Sequence, residues 1–454
     1  MSTSHYLFLF CSLYLLHVVD SYAVEPTDPA VYDLRRKLEW CGPRPKQHET
    51  FYPGLDDLNC IKLFPKLFDR SHRCLSAYDE HRLVGFETPS GNISNVQVDE
   101  VELRQVLRPE LNIKAAVALV RRPSVDRLED DGSSSLRIRY LGSSSRETFQ
   151  PWSSTKLFAA FDAAARLRTL SEKKIGLAAT ESGNDNHLGD LATIITSYDV
   201  TRNLTSNGLG AYFHSIGKHK IGLQAAQQWL GATSHNISFG GNYGEPVPPQ
   251  LGYHFMSQRD NASVEVEPDP TPSPPLDNSL NALALAEWLR RIVHLREAQP
   301  SIQTDSFPEN ETLPAWEDAQ ELLYGSNQSV FDGLQWGGAS MSTDVYVQQS
   351  IANSIGMRNM SEQAEDQWRI FSKLGAGHSD TRGVNEIVVN AYACLPVLTN
   401  GKPIPNRGLE FAISLYVPQS TQRQKSDEDP WHTLDLMVTE AMTNITELLL
   451  SKYY

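Results

Sequence analysis

The sequence predicts an α+β fold: an antiparallel five-stranded sheet drawn from both ends of the chain, flanked by helices, with an all-helical subdomain inserted between its halves. Three observations carry this. Two strand-like segments precede Pro151 and three follow Asp366; the stretch between them holds mostly helix-period segments; and the chain closes on an amphipathic helix able to cover a sheet face.

The elements follow in order. NIKAAVALVRR (112–122) is a near-continuous apolar run, as a buried strand requires. Leu136, Ile138 and Tyr140 alternate with Arg137 and Arg139, the period of a half-buried strand, and the polar RLEDDGSSS (127–135) between them reads as a hairpin loop. After PWSSTKLF (151–158), Leu157, Phe158, Phe161, Ala164, Ala165 and Leu167 recur at helical spacing, with Ser153 at an N-cap or first-turn position. Further helical segments are Leu191–Tyr198, Gly208–Ile216 and Gln224–Leu230. Residues from about 239 to 279 gather Gly, Pro and Asp and read as a long surface excursion. Leu280–Glu297 is an amphipathic helix and TDVYVQQSIANSI (343–355) another. Residues 366–375, 385–397 and 408–417 are strands; in the last, Phe411, Ile413, Leu415 and Val417 share one face. The closing helix (429–450) carries Leu434, Val438, Ala441, Ile445 and Leu448 along one stripe.

Ahead of these elements, residues 24–108 read as an N-terminal extension without recognisable chemistry, with short helical candidates at Val31–Trp40 and Asp99–Leu107. The domain proper is expected over 109–454, with its helical subdomain over about 153–365. Tyr6–Val19 is apolar, and Ser21-Tyr22-Ala23 supplies small residues at a cleavage site, so residues 1–23 are expected to be a secretory signal. The apolar run is shorter than the roughly 20 residues of a membrane span, and Asp20 ends it. A secreted, extracellular chain fits the cysteines: outside the signal stand Cys41, Cys60, Cys74 and Cys394. An oxidising compartment favours disulfides among them. Cys60–Cys74 is the natural local pair, leaving Cys41 with Cys394. Glycosylation sequons stand at Asn92, Asn203, Asn236, Asn261, Asn310, Asn327, Asn359 and Asn444.

The formal net charge is −15, and removal of the signal, whose only formal charge is Asp20, leaves it one unit less negative. Such a balance opposes a broad nucleic-acid surface and docking on anionic membranes. The sequence has neither Cys-x-x-Cys nor His-Glu-x-x-His, and no metal or cofactor is expected.

Ser-x-x-Lys occurs at Ser153–Lys156, Ser171–Lys174 and Ser215–Lys218. Only the first stands at the N-terminus of an apolar helix that follows a strand. Residues three apart share a helix face. The helix N-terminus favours the negative charge of a developing alkoxide. A lysine desolvated against apolar neighbours has a lowered pKa and can accept the serine proton. Ser171–Lys174 lies in a polar helix end, and Gly217 interrupts Ser215–Lys218. Late in the chain, Lys373-Leu374-Gly375-Ala376-Gly377 ends a strand and Thr381-Arg382-Gly383 follows. Glycine lets a backbone approach closely, and Lys and Arg can hold a carboxylate. A Ser-His-Asp hydrolase is disfavoured, since Gly-x-Ser-x-Gly is absent.

Ser153-Ser154-Thr155-Lys156 entering a helix, with KLGAGHSDTRG on a late strand, resembles the class A β-lactamases and related penicillin-binding proteins. In these, Ser-x-x-Lys opens the first core helix, and Lys-Ser/Thr-Gly-Ala-Gly followed by Arg-Gly lies on the third strand. The resemblance covers about 110–454. It implies a secreted serine hydrolase acting through an acyl-enzyme on a β-lactam, peptide or ester. It casts Ser153 as nucleophile and Lys156 as base, with the Ser153 and Ala376 N–H groups as oxyanion hole. Lys373, Gly375 and Arg382 would line the site of a carboxylate-bearing small molecule or peptide. For the Ser-x-Asn motif, Thr205-Ser206-Asn207 is preferred, with Thr205 shuttling a proton and Asn207 holding the substrate amide. Ser182-Gly183-Asn184 and Ser197-Tyr198-Asp199 are the other candidates. Two departures stand out. Leu374 replaces a carboxylate-binding hydroxyl, and Glu-x-x-Leu-Asn, which carries the deacylating glutamate, is missing; Glu245 is the nearest substitute. Leu374 and the imperfect Ser-x-Asn motif leave open a second reading, a catalytically impaired glycoprotein that binds rather than turns over.

Overall fold

The apolar strands assemble as their periodicity directs. The elements run in chain order as β1 (Ala77–Tyr78), β2 (Val98–Asp99), α1 (Glu102–Val106), β3 (Lys114–Pro123), β4 (Arg137–Ser143), a 3-10 turn (Trp152–Thr155), α2 (Lys156–Leu170), α3 (Leu188–Ser197), α4 (Ser206–Gly217), α5 (Ala282–Val293), α6 (Trp316–Tyr324), β5 (Arg369–Ser379), β6 (Val384–Thr399), β7 (Lys402–Ser420) and α7 (Pro430–Tyr453). This computed structural model describes residues 77–78, 85–87, 96–123, 136–172, 174–183, 186–197, 204–217, 241, 243–257, 261–268, 278–295, 315–324, 350, 369–399, 402–420 and 430–453. The signal segment and the helical candidates Val31–Trp40 and Gln224–Leu230 lie outside the described residues, as does nearly all of 343–355. So do Cys41, Cys60, Cys74, Asn92, Asn203, Asn236, Asn310, Asn327 and Asn359.

The main sheet has the order β5-β6-β7-β3-β4-β2, with β1 beside the end of β3, and so is seven-stranded rather than five-stranded. The five expected strands pair antiparallel. The additions pair parallel: Val98 with Tyr140 and Ala77 with Arg122. Each added strand has two residues, too short for period-2 alternation to reveal. The insert also departs from the all-helical expectation. Thr180–Glu181, Asn186–His187, His254–Met256 and Ser263–Glu265 form a four-stranded sheet. Two of these strands belong to the stretch read as a surface excursion, where Leu251, Phe255 and Val266 are buried.

The sheet divides two apolar layers. On one face Val117, Leu119, Phe411, Ile413, Leu415 and Val417 meet Leu434, Val438, Ala441, Ile445 and Leu449 of α7. The four alternating residues of β7 thus share a face, and the α7 stripe covers them, with Leu449 buried in it and the expected Leu448 only partly so. Each fully buried aliphatic side chain here contributes about 1.5–3 kcal/mol. The opposite face carries Ala116, Ala118, Ile138 and Tyr140 in one core with residues of α2, α4 and α5, of which α5 lies on the strands. Small residues at Ala159, Ala160, Ala163 and Ala164 let α2 pack closely on its neighbours, while Phe158 stacks on Trp288 at 3.8 Å between ring centroids.

Helix α5 is more deeply buried than its amphipathic pattern suggests. Asn281 caps it, accepting from the Ala284 N–H at 2.8 Å. Its polar residues turn inward as an ionic group: Glu287 accepts from Arg290 and Arg291 at 2.7 Å and from the Tyr140 hydroxyl at 2.9 Å. Helix α6 has no counterpart in the sequence reading. It is held by Asp318, which accepts from Arg168 and from the Leu177 and Ala315 N–H groups.

Candidate active site

The turn Trp152–Thr155 forms because Ser154 and Thr155 bond back locally: their hydroxyls donate to the Pro151 and Trp152 carbonyls at 2.6 and 3.0 Å. Trp152, immediately before Ser153, has φ 51°, a left-handed conformation rare for a bulky residue and held only where its surroundings impose it. The surroundings are visible. Its indole lies against Gly377, and its Nε1–H donates to Glu386 at 2.8 Å.

Strand β5 is an edge strand, and it presents Lys373, Gly375 and Gly377 to this turn while Leu374 and Ala376 face the α7 layer. A Cβ at Gly375 would fall 2.8 Å from the Ser154 nitrogen and 3.0 Å from the Ser153 nitrogen. The glycine is therefore what lets the strand lie on the serine turn. Leu374 is buried among α7-side residues, which explains an apolar residue where the resemblance asks for a hydroxyl.

Lys156, at the first position of α2, is fully buried. Its Nζ donates to Ser206 Oγ at 3.0 Å and to Asn207 Oδ1 at 2.5 Å, and sits 5.5 Å from the centroid of the Tyr243 ring. Burial pulls its pKa down to about 7, and the Glu245 carboxylate pulls the other way. Lys373 is also fully buried; its Nζ donates to the Leu374 carbonyl at 2.8 Å. Desolvation, then the neighbouring Lys156 charge, holds its pKa well below the ordinary lysine value. Ser153 is half-buried, and no hydrogen bond joins its Oγ to Lys156 among the described residues.

The remaining expected residues sort as follows. Asn207 reaches the lysine and donates from Nδ2 to Glu245 at 3.2 Å. Among the described residues no hydrogen bond joins Thr205 to Lys156. Thr205 donates to Glu245 and accepts the Gly208 N–H at 3.0 Å, capping α4, so Ser206 is the hydroxyl on the lysine. Arg382 is exposed on one side but paired on the other, with Glu386 at 2.8 Å and Gln150 at 3.1 Å. Ser182-Gly183 lies in the turn of the small sheet, with Ser182 N bonded to the His254 carbonyl; Asn184, Tyr198 and Asp199 lie outside the described residues. Ser171 caps the end of α2, and Ser215 donates to the Tyr212 carbonyl within α4.

Sequence reasoning missed Ser206, Tyr243, Trp152 and Glu386. Only Glu386 left a signal, as an acid inside the apolar NEIVV run. It is fully buried and accepts from Trp152, Arg382 and, at 2.6 Å, the Tyr416 hydroxyl. Cys394 is disulfide-bonded. Asn261 is exposed, whereas the Asn444 amide donates to the Val106 carbonyl at 3.0 Å. Among the described residues no cluster of His, Cys, Asp and Glu could hold a metal, and no helix is long and apolar enough to cross a membrane.

No known family's sequence profile matches the chain, and no curated protein does. Among solved structures it is similar to a β-lactamase from Chitinophaga pinensis (TM-score 0.38, 10% identity, 78% of this chain and 98% of that one). It is similar also to β-lactamases from Burkholderia vietnamiensis (0.35, 14%, 78% and 100%) and Desulfarculus baarsii (0.33, 15%, 77% and 96%).

Proposed function

We propose that this chain is a secreted serine hydrolase, related to the class A β-lactamases and penicillin-binding proteins, that works through an acyl-enzyme on Ser153. The observation that carries the reading is Lys156: fully buried, one helical turn from Ser153, oriented by Ser206 and Asn207, with a pKa near 7. A lysine so placed is in part neutral at neutral pH and can take a proton. Ser153 Oγ would attack the carbonyl carbon of an amide or ester while its proton passes to Lys156 Nζ. The tetrahedral intermediate would expel the leaving group, which regains that proton. The Ser153 and Ala376 N–H groups would hold the oxyanion. Glu245, joined to Thr205 and Asn207, would activate the water that releases the acyl group.

Lys373, Gly375 and Arg382 would line the groove. The signal at residues 1–23, disulfides among Cys41, Cys60, Cys74 and Cys394, and glycans at the sequons belong to the same reading of a secreted glycoprotein. The alternative, a binding protein of this type with impaired catalysis, draws on Ser153 Oγ having no hydrogen bond to Lys156 and on Leu374.

Intact-protein mass after incubation with a penicillin or a fluorophosphonate separates the two. The hydrolase reading expects an adduct that disappears in Ser153→Ala. No adduct on folded protein with any acylating reagent would leave the binding reading in its place.

A further inference from the structure

We infer that the groove accepts acyl donors that carry no carboxylate on the leaving-group side: neutral esters, thioesters or amides. The inference rests on the hydrolase reading above and narrows its substrate class.

Three side chains decide it. Arg382 already has a counter-ion in Glu386 at 2.8 Å, and the Glu386 side chain is fully buried, so water screens the pair little from that side. Glu386 is itself pinned by the Tyr416 hydroxyl at 2.6 Å and the Trp152 indole at 2.8 Å, so it cannot swing away without unmaking the turn that carries Ser153. Gln150 takes a further share of the same guanidinium nitrogen at 3.1 Å. Lys373 is fully buried and donates to the Leu374 carbonyl at 2.8 Å. At position 374 the side chain is turned into the α7 layer, so strand β5 offers no hydroxyl there.

The cations that could receive an anion therefore meet it already committed. Lys156 likewise stands near the Glu245 carboxylate, through Asn207. A carboxylate entering beside Arg382 would be repelled by Glu386 and would meet a guanidinium whose charge that buried carboxylate already offsets, so it gains less than it would from an arginine without a counter-ion. A neutral group avoids that cost. Glu386 thus acts as a positioning residue with two effects: it neutralises Arg382 and anchors the Trp152 turn.

The test uses two thioesters that differ only in charge, phenylacetyl thioglycolate and its methyl ester. Acylation of the full chain is followed by mass and thiol release, and affinity is measured separately on Ser153→Ala. The methyl ester is expected to acylate faster, and to bind Ser153→Ala more tightly, by about tenfold or more, the scale of one charge-assisted hydrogen bond. In Glu386→Gln, which keeps an acceptor for Trp152, that ratio is expected to shift towards the carboxylate by about tenfold. Equal or better acylation and binding by the thioglycolate in the native chain would overturn the inference while leaving the hydrolase reading intact. A folded Glu386→Gln whose ratio does not move would overturn it too. Failure of both thioesters and of a fluorophosphonate to acylate Ser153, with the methyl ester still preferred by Ser153→Ala, would sink the hydrolase reading and sustain the neutral-ligand assignment. Failure of both to bind or acylate would overturn both.

Discussion

Gly375 and the Ser153 backbone nitrogen approach so closely that a Cβ on the glycine would lie 3.0 Å from that nitrogen, with the Pro151 carbonyl closer still. Backbone, rather than a flexible side chain end, fills the space, so the contact cannot be relieved by a rotamer change.

Gly375→Ala is therefore expected to push β5 and the serine turn apart. Overpacking of this kind costs about 1–3 kcal/mol, read as a lowered melting temperature. Acylation at Ser153 should fall further than stability, by about 100-fold for a displacement near 1 Å. Unchanged acylation in the variant would mean that the strand does not define the site.

Lys156 makes a prediction with a definite sign. Its pKa falls from the ordinary 10.5 to about 7 on folding. Acylation of Ser153 should rise with pH through about 7 as the lysine loses its proton. Stability should move the same way: between about 7 and 10.5 the unfolded chain binds the proton that the folded chain does not, so stability increases with pH in that window. Lys156→Met should remove this part of the pH dependence and lower acylation by about 10²–10⁴-fold. Urea unfolding of both proteins across the window measures it.

How much of this was legible in the sequence differs by element. The alternation Phe411, Ile413, Leu415, Val417 and the α7 stripe specified a buried face each, and those faces meet. Ser153, Lys156 and Gly375 stood out because a turn, a helix start and a close backbone approach each restrict residue type. Glu386 showed only as an acid inside an apolar run and Tyr243 not at all, since their roles depend on partners far along the chain: Trp152 for one, Thr155 and Lys156 for the other. The two-residue strands β1 and β2 are too short for a period. The helical pattern of α5 was visible, but the burial of its polar side was not, because a sequence does not reveal that Glu287 meets Tyr140.

Glu245 should separate the two halves of turnover. Its contacts are with Thr205 and Asn207, not with Ser153. In Glu245→Gln the first step should survive and the second slow by about 10²–10⁴-fold, so the acyl-enzyme accumulates. A rapid burst followed by a stalled steady state, with the adduct visible by mass, is the expected record. Loss of the burst itself would instead assign Glu245 to acylation.

The ionic group beneath the sheet sets a different limit, on acid stability. Burial opposes the charge on Glu287, but Arg290 and Arg291 overcome it and hold the carboxyl near pKa 2, against 4.5 ordinarily. Below 4.5 the unfolded chain takes up a proton that the folded chain refuses until about 2, so this group's contribution to stability is lost as pH falls across that interval. Glu287→Ala leaves both buried guanidiniums without their anion and should cost about 3–5 kcal/mol at neutral pH. The cost should shrink towards pH 2, where the native carboxyl is itself being neutralised. A loss that stayed constant from neutral pH down to 2 would show that packing, not charge, is what Glu287 supplies.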